Sequence, residues 1–369
     1  MPQRVLRLRF DEKAVDSVEQ CRAQLAEAKV GMLAAHDARI RPDRLLRSHS
    51  DFIDKMLSAL WSGLVEDRSR PSRIALIAVG GYGRQELHPG SDIDLLILRA
   101  RDGSERESAK IEGFIRFLWD VGLQVGHSTR TLQECVTQAR SDITVVTNLM
   151  EARYLSGDPT LLERLATRVS PERMWSPRKF FEAKREEQVQ RHQRYGETAY
   201  NLEPHVKEGP GGLRDIQTIQ WVGHRYFGTP DLEKLSDEGF LTDGEVRELL
   251  SGRELLWRLR NGLHLLTSRS EDRLLFDYQR EIASQFGYRD DTQLAVEKLM
   301  KRYFRTVKKL RVLNEILLQH FEEAILTTSK RQVTPINRRF RAVDGLLEVV
   351  NPNVFKRQPF ALLEAFLLL

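Results

Sequence analysis

The stretch from Ile74 to Leu98 limits the fold more than any other part of the chain. Two short apolar runs, Ile74–Val79 and Leu95–Leu98, flank Gly80-Gly81-Tyr82-Gly83-Arg84 and a later Ser91-Asp92-Ile93-Asp94. Runs this short and this rich in branched residues read as buried strands rather than helices. The glycines allow a sharp turn and leave no Cβ between the backbone and a bound group. Arg84–Leu87 has helical propensity, so the turn is expected to open into a short helix there. Backbone N–H groups at such a turn form an anion site suited to phosphate oxygens.

Asp92 and Asp94 are two residues apart, and a strand sends such residues to one face. Two carboxylates side by side repel one another unless a cation joins them. Hard oxygen ligands suit Mg²⁺, which is commonly held by one or two carboxylates together with substrate phosphates. A phosphate cradle beside a divalent-cation site is the equipment for phosphoryl or nucleotidyl transfer with two metal ions. Other phosphate motifs fit worse. No Gly-Lys-Ser/Thr follows the turn, and Glu86 stands where a dinucleotide fingerprint needs its third glycine.

The run Gly-Gly-x-Gly-Arg-x-Glu-Leu-x-Pro-x-Ser-Asp-x-Asp-Leu resembles the signature of the DNA polymerase β-type nucleotidyltransferase superfamily. Within it, the chain is most similar to the branch of PII uridylyltransferases and glutamine synthetase adenylyltransferases. The resemblance implies an α+β fold, with a small mixed sheet and helices flanked by an N-terminal helical arm and a C-terminal helical bundle. The expected division is an arm over 1–66, a nucleotidyltransferase domain over 67–150, a helical bundle over 151–330 that completes the nucleotide cleft, and a linker with the start of a further domain over 331–369.

A second motif, Lys207-Glu-Gly-Pro-Gly-Gly-Leu-Arg-Asp-Ile216, reads from its residues alone as a loop between two bundle helices. It also resembles a segment shared by the uridylyltransferases and adenylyltransferases. That resemblance implies that Lys207, Arg214 and Asp215 face the nucleotide cleft, with Lys207 and Arg214 neutralising triphosphate charge. It further implies that Asp92 and Asp94 hold two Mg²⁺ ions, and that Gly80, Gly81 and Ser91, helped by Arg84, orient the phosphates of UTP. The acceptor it implies is a tyrosine of the PII signalling protein.

The segment Val121–Thr131 reads as a strand, where the superfamily usually brings a third carboxylate to the metals. No acidic residue lies between Val121 and Gln133. Asp120 and Glu134 flank it as possible substitutes, and His127 within it reads as structural before it reads as a base or ligand. The absence of that acid, and the surroundings Arg191–Tyr195 and Asn201–Lys207, favour a uridylyltransferase over an adenylyltransferase. An adenylyltransferase acting on another protein, or a non-catalytic nucleotide-binding module, are the rival readings.

The rest of the chain is largely helical in pattern. Helices are expected over 15–32, 42–65, 108–120, 131–167, 177–195, 245–268 and 296–326, with Asp142 as an N-cap. Glu151 and Arg153 read as surface pairs, His36-Asp37 as a helix-surface or turn pair, and His264 and His320 as structural residues. Arg68–Arg73 and Thr327–Pro335 read as linkers, 340–350 as a strand or short helix, and Pro359–Leu369 as an apolar helix stopping mid-pattern. That ending, and the longer relatives it resembles, lead us to expect a piece of a larger protein without the uridylyl-removing or ligand-sensing domains.

Composition sets the outer bounds. The 369 residues are 41% hydrophobic and 30% charged, with a net charge of +5 from interspersed Lys, Arg, Asp and Glu. This fits local anion sites better than a nucleic-acid surface. Two cysteines, Cys21 and Cys135, provide no metal or disulfide framework. No apolar run reaches membrane-spanning length, so a cytoplasmic enzyme without membrane partners is expected.

Overall fold

The computed structural model describes residues 8–67, 72–101, 103–196, 201–326, 333–343 and 346–368. The chain packs as two units, residues 1–317 and residues 318–369. Of the expected linkers Arg68–Arg73 and Thr327–Pro335, residues 68–71 and 327–332 lie outside the described part, and Val333–Pro335 is corrected from linker to strand.

The first unit opens with helices α1 (Val18–Asp37) and α2 (Pro42–Leu64), then strand β1 (Ile74–Ala78) and a one-turn helix α3 (Gly80–Gly83). Strand β2 (Ile93–Arg99), helix α4 (Glu105–Val121) and strand β3 (Val125–Thr131) follow, then α5 (Leu132–Ser141), α6 (Ile143–Met150) and β4 (Arg153–Gly157). The remainder is α7 (Thr160–Arg168), α8 (Pro177–Tyr195), α9 (Leu213–Phe227), α10 (Leu232–Asp237), α11 (Asp243–Thr267), α12 (Phe276–Gln285) and the part of α13 (Ala295–Leu326) up to residue 317.

The sheet is small and mixed, in the order β3-β2-β1-β4. Strand β1 runs antiparallel to β2 and to β4, while β2 and β3 are parallel. Alternation along the strands divides its two faces. Ile74, Leu76, Ala78, Ile93, Leu95 and Ile97 turn to a core with α1, α2 and α4, where Trp61 meets Phe114 edge-on. The opposite face, which carries Leu96, Leu98 and Asp94, is covered by α7 on β1 and β2 and by α5 on β3. Asp94 therefore sits on the second face, where apolar cover gives out.

Two local expectations are corrected. The short helix forms on the glycines themselves, Gly80–Gly83, and Arg84–Leu87 is a turn. Leu87 is held there by His49 Nδ1 on its carbonyl, at 3.0 Å, and by Ser50 Oγ on its N–H. The run 131–167 is also not all helix. Asp142 caps α6 through the Thr144 and Val145 N–H groups as expected, but Arg153–Gly157 then pairs with β1 as an edge strand.

In the second unit, β5 (Val333–Pro335), β6 (Phe340–Val343) and β7 (Leu346–Val349) form an antiparallel sheet, followed by α14 (Val354–Arg357) and α15 (Ala361–Leu368). Its core is Phe340, Val354 and Ala361, and Arg339 pairs with Glu364.

Candidate active site

The turn between β1 and β2 assembles the site. The Val79 N–H donates to the Asp94 carbonyl at 3.1 Å, which ties the entry of the glycine turn to the acidic strand. Asp92 lies just before β2 and Asp94 is its second residue, and both side chains are exposed. Among the described residues neither has an ion-pair or side-chain hydrogen-bond partner. The protein wall around Asp94 and the neighbouring Asp92 charge both push its carboxyl above the usual range, with Lys207 acting weakly the other way. A donor set of this kind, two adjacent carboxylates with one reluctant to ionise alone, fits a divalent cation.

Gly80 places the backbone beside Asp94, since a Cβ there would stand 3.4 Å from Asp94 Oδ2. Ser91 follows the Pro89-Gly90 bend, its N–H donating to the His88 carbonyl at 3.0 Å. Its Oγ is buried and, among the described residues, has no hydrogen-bond partner. A buried hydroxyl without a partner is costly unless something else supplies one.

Arg84, expected beside the phosphates, is committed elsewhere. Its guanidinium pairs with Glu86 at 2.9 Å and with Glu151 at 2.5 Å, holding α3 against the turn between α6 and β4. Glu151 also accepts from Trp221 Nε1, so it ties the turn after α6 to α9. The expectation of surface pairs for Glu151 and Arg153 is therefore corrected. Glu151 is a buried hub, and Arg153 grips Asp54 at 2.6 Å while lying over the Tyr82 ring.

The third strand explains the missing acid. In the parallel register Asp94 faces Gly126, and a Cβ on Gly126 would lie 2.8 Å from Asp94 Oδ1. His127 pairs with Leu95 and so points to the α4 face, against Trp119 at 5.7 Å. Glu134 accepts from the Thr131 N–H at 2.7 Å in the capping box of α5. Asp120 lies on the α4 side, where its carbonyl accepts from Arg22. None of the three joins the aspartate pair.

The second motif brings two of its three residues toward the site. Lys207 influences the ionisation of Asp94, and burial together with Arg260 and Arg214 pushes its own ammonium below the usual lysine range. Arg214 shares Glu208 with Lys207, at 3.3 and 3.4 Å, and lies over the Trp221 ring. Asp215 does not face the cleft. It is buried, and accepts from Arg191 at 2.6 Å, from His192 at 2.9 Å and from the Gly211 N–H at 2.7 Å. Burial alone would raise its carboxyl, but the His192 hydrogen bond and the Arg191 charge outweigh it and hold the carboxyl below the usual range. These bonds tie the Gly-Pro-Gly-Gly loop to α8.

A cleft of about 290 Å³ opens between α6, α8 and α9, and Asn148, Lys184, Glu187, Arg194, Arg214 and Trp221 are among its lining residues. Asn148 reaches to within 3.6 Å of the same Gly80 Cβ position that Asp94 approaches, so the cleft adjoins the aspartate pair. Lys184 is almost fully buried, 4.0 Å from the centre of the Trp221 ring and 2.7 Å from Glu187. Helix α8, charged throughout, reads from sequence as a solvated face. Lys184, Gln188 and Arg191 nevertheless stand at spacings of four and three on its buried side. That spacing is the signal by which they can be found. His36, expected on the surface, is buried with Nε2 3.2 Å from Gln285.

Two family models match the chain: "Nucleotidyltransferase domain" over residues 59–148 and "GlnD PII-uridylyltransferase" over residues 179–318. A protein named bifunctional uridylyltransferase/uridylyl-removing enzyme from Pseudomonas aeruginosa (strain LESB58) is 50% identical over 328 residues, 88% of this chain and 36% of the relative. Its namesake from Nitrosococcus oceani is 52% identical over 327 residues, with the same coverage of each chain. The one from Stutzerimonas stutzeri is 49% identical over 328 residues, again at 88% and 36%. The chain spans about a third of the length of these curated relatives. Among the described residues no helix is long and apolar enough to cross a membrane. Over most of its length the chain is thus similar to the bifunctional uridylyltransferase/uridylyl-removing enzymes, with a nucleotidyltransferase domain followed by a PII-uridylyltransferase segment.

Proposed function

We propose that this chain transfers UMP from UTP to a tyrosine of a PII signalling protein and releases pyrophosphate. The observation that carries the reading is the pair Asp92 and Asp94, unpartnered beside a glycine turn and a buried, unpartnered Ser91 hydroxyl. Asp92 and Asp94 would hold Mg²⁺, which when bound screens the triphosphate and polarises the phosphoryl group. Ser91 Oγ and the backbone of Gly80 and Gly81 accommodate phosphate oxygens, while Lys207 and Arg214 face the triphosphate charge from the helical side. The tyrosine oxygen attacks the α-phosphorus in line and its proton passes to solvent, the bond to the bridging oxygen breaks, and the electron pair leaves with pyrophosphate. The matched PII-uridylyltransferase segment supports uridine and PII as the substrate pair.

The test is Mg²⁺-dependent transfer of label from each α-labelled nucleoside triphosphate to purified PII protein, with Asp94→Asn as control. Transfer from UTP alone, lost in the variant and on chelation, is the expected result. Transfer from ATP in preference to UTP would overturn the base assignment. Transfer from none would overturn the reading.

A further inference from the structure

Two loops meet at the site from opposite sides, and one short segment touches both. Residues 88–91 carry Ser91 and lead into Asp92, while residues 204–212 carry Lys207. Between them passes the connection from α11 to α12, residues 269–274. The Gly90 N–H donates to His264 Nδ1 at 3.1 Å, and His264 Nε2 lies 3.1 Å from Asp272 Oδ1. Because the Gly90 amide can only donate, Nδ1 must carry the lone pair, and the imidazole proton sits on Nε2 facing Asp272. Arg260 holds the same carboxylate with two bonds, at 2.6 and 3.2 Å. The fit is close, since a Cβ on Gly90 would stand 2.6 Å from the Arg269 carbonyl oxygen. His88 adds a second anchor through Asn261, at 2.7 Å.

The other loop is held by the backbone of the same segment. The Val206 N–H donates to the Asp272 carbonyl at 2.9 Å, and the Leu274 N–H donates to the Pro204 carbonyl at 2.9 Å. One residue, Asp272, therefore fixes the loop before Asp92 through its side chain and His264, and the residue before Lys207 through its carbonyl. His264, Asp272 and Arg260 are all buried, and none touches the aspartate pair or lines the cleft beside it.

We propose that His264 and Asp272 are positioning residues of the transfer reaction, which fix the separation of Asp92 from Lys207 by clamping Gly90 and Val206 to one segment. The proposal rests on the uridylyltransferase reading for its kinetic consequence, while the clamp itself stands on geometry. A carboxylate pair and a cation that must meet one triphosphate from two loops lose much of their effect when one loop drifts by an ångström.

The test uses His264→Asn, His264→Gln and His264→Phe in the whole chain. An asparagine amide reproduces the acceptor near Nδ1 and keeps the Gly90 bond. Glutamine reproduces the donor near Nε2 and keeps only the Asp272 bond, and phenylalanine keeps neither. Amide hydrogen exchange of the 88–92 segment, steady-state kinetics with UTP and PII, and thermal melting are measured for each. The asparagine variant should keep wild-type protection at Gly90 but, having lost the bond to Asp272 that joins the two loops, should lower kcat by about tenfold. Glutamine and phenylalanine should speed exchange at Gly90 by about tenfold. They should also lower kcat by about ten- to a hundredfold while the protein stays folded. Equal Gly90 exchange in the asparagine and glutamine variants, a wild-type kcat in the asparagine variant, or losses that track only the folded fraction, would overturn the proposal. If the wild-type chain transfers nothing, the uridylyltransferase reading fails, and unchanged Gly90 exchange in the glutamine and phenylalanine variants would separately overturn the clamp.

Discussion

Two kinds of aspartate stand in and behind this site, and they are treated in opposite ways. Asp92 and Asp94 are exposed and, among the described residues, unpartnered, and burial plus mutual repulsion makes Asp94 reluctant to ionise. Asp215 and Asp272 are buried deeper, yet they are saturated with partners and ionise more readily than an ordinary carboxyl. Burial alone would predict the reverse order. What separates them is whether the fold supplies the counter-charge or leaves it to a ligand. The first pair carries a mutual repulsion that the fold does not relieve, and the second is tied into the loops behind it.

The largest expected difference is in transfer. Asp94→Asn should reduce UMP transfer by at least ~10³-fold, the scale of losing a metal-binding group, while the melting temperature stays level or rises. Label transfer and a melting curve on one preparation check both halves. A large fall in melting temperature would place Asp94 with the structural carboxylates and break the comparison. Asp215→Ala should do the converse, lowering the unfolding free energy in urea by about 3 kcal/mol because buried Arg191 loses its close carboxylate and keeps only Glu208. Little change there would mean that the Gly-Pro-Gly-Gly loop is held by other contacts.

A smaller effect is expected for Lys207→Ala. It should raise the KM for UTP about tenfold, in line with one charge-assisted contact to a phosphate, and leave the melting temperature nearly unchanged. An unchanged KM would remove Lys207 from the triphosphate site.

The smallest effect is on pH dependence, and its sign separates the two kinds. A carboxyl with a raised native pKa keeps its proton more tightly folded than unfolded. Asp94 therefore contributes stability that is present below the ordinary carboxylate range and is lost as pH rises through its raised value. For Asp215 and Asp272 the native value is lowered, so their contribution is present above the ordinary range and is lost as pH falls. With chelator present, the stability advantage of Asp94→Asn over the wild type should grow as pH rises through the carboxylate range. An advantage constant with pH would contradict this.

The parts of the site legible from sequence are those fixed by local chemistry. Strand β1, the glycine turn, the Ser-Asp-x-Asp run and β2 follow from short apolar runs and residues with narrow conformational roles, so twenty-five consecutive residues suffice. The capping role of Asp142 is local in the same way. Strand β4 is missed because Arg-Tyr-Leu-Ser-Gly is short, only half-buried and at a sheet edge, with its pairing decided by β1 some eighty residues earlier. The side-chain partners of Arg84, Glu151 and Asp215 are not legible in the sequence for a related reason. Each side chain has several polar partners within reach, and only tertiary contact picks among them. Lys184 and Arg191 sit on a helix whose composition is that of a solvated face, and their burial depends on α9 packing against it.

Gly126 also bears on how this site can change. An added side chain there would meet Asp94 before it met anything else, so the nearest strand position is closed to a third acid unless the strands move apart. A redesign that adds a carboxylate by Gly126→Asp would push Asp94 aside. The open ground lies on α6, where Asn148 already stands near Asp94, and an Asn148→Asp exchange could add a carboxylate without forcing the sheet.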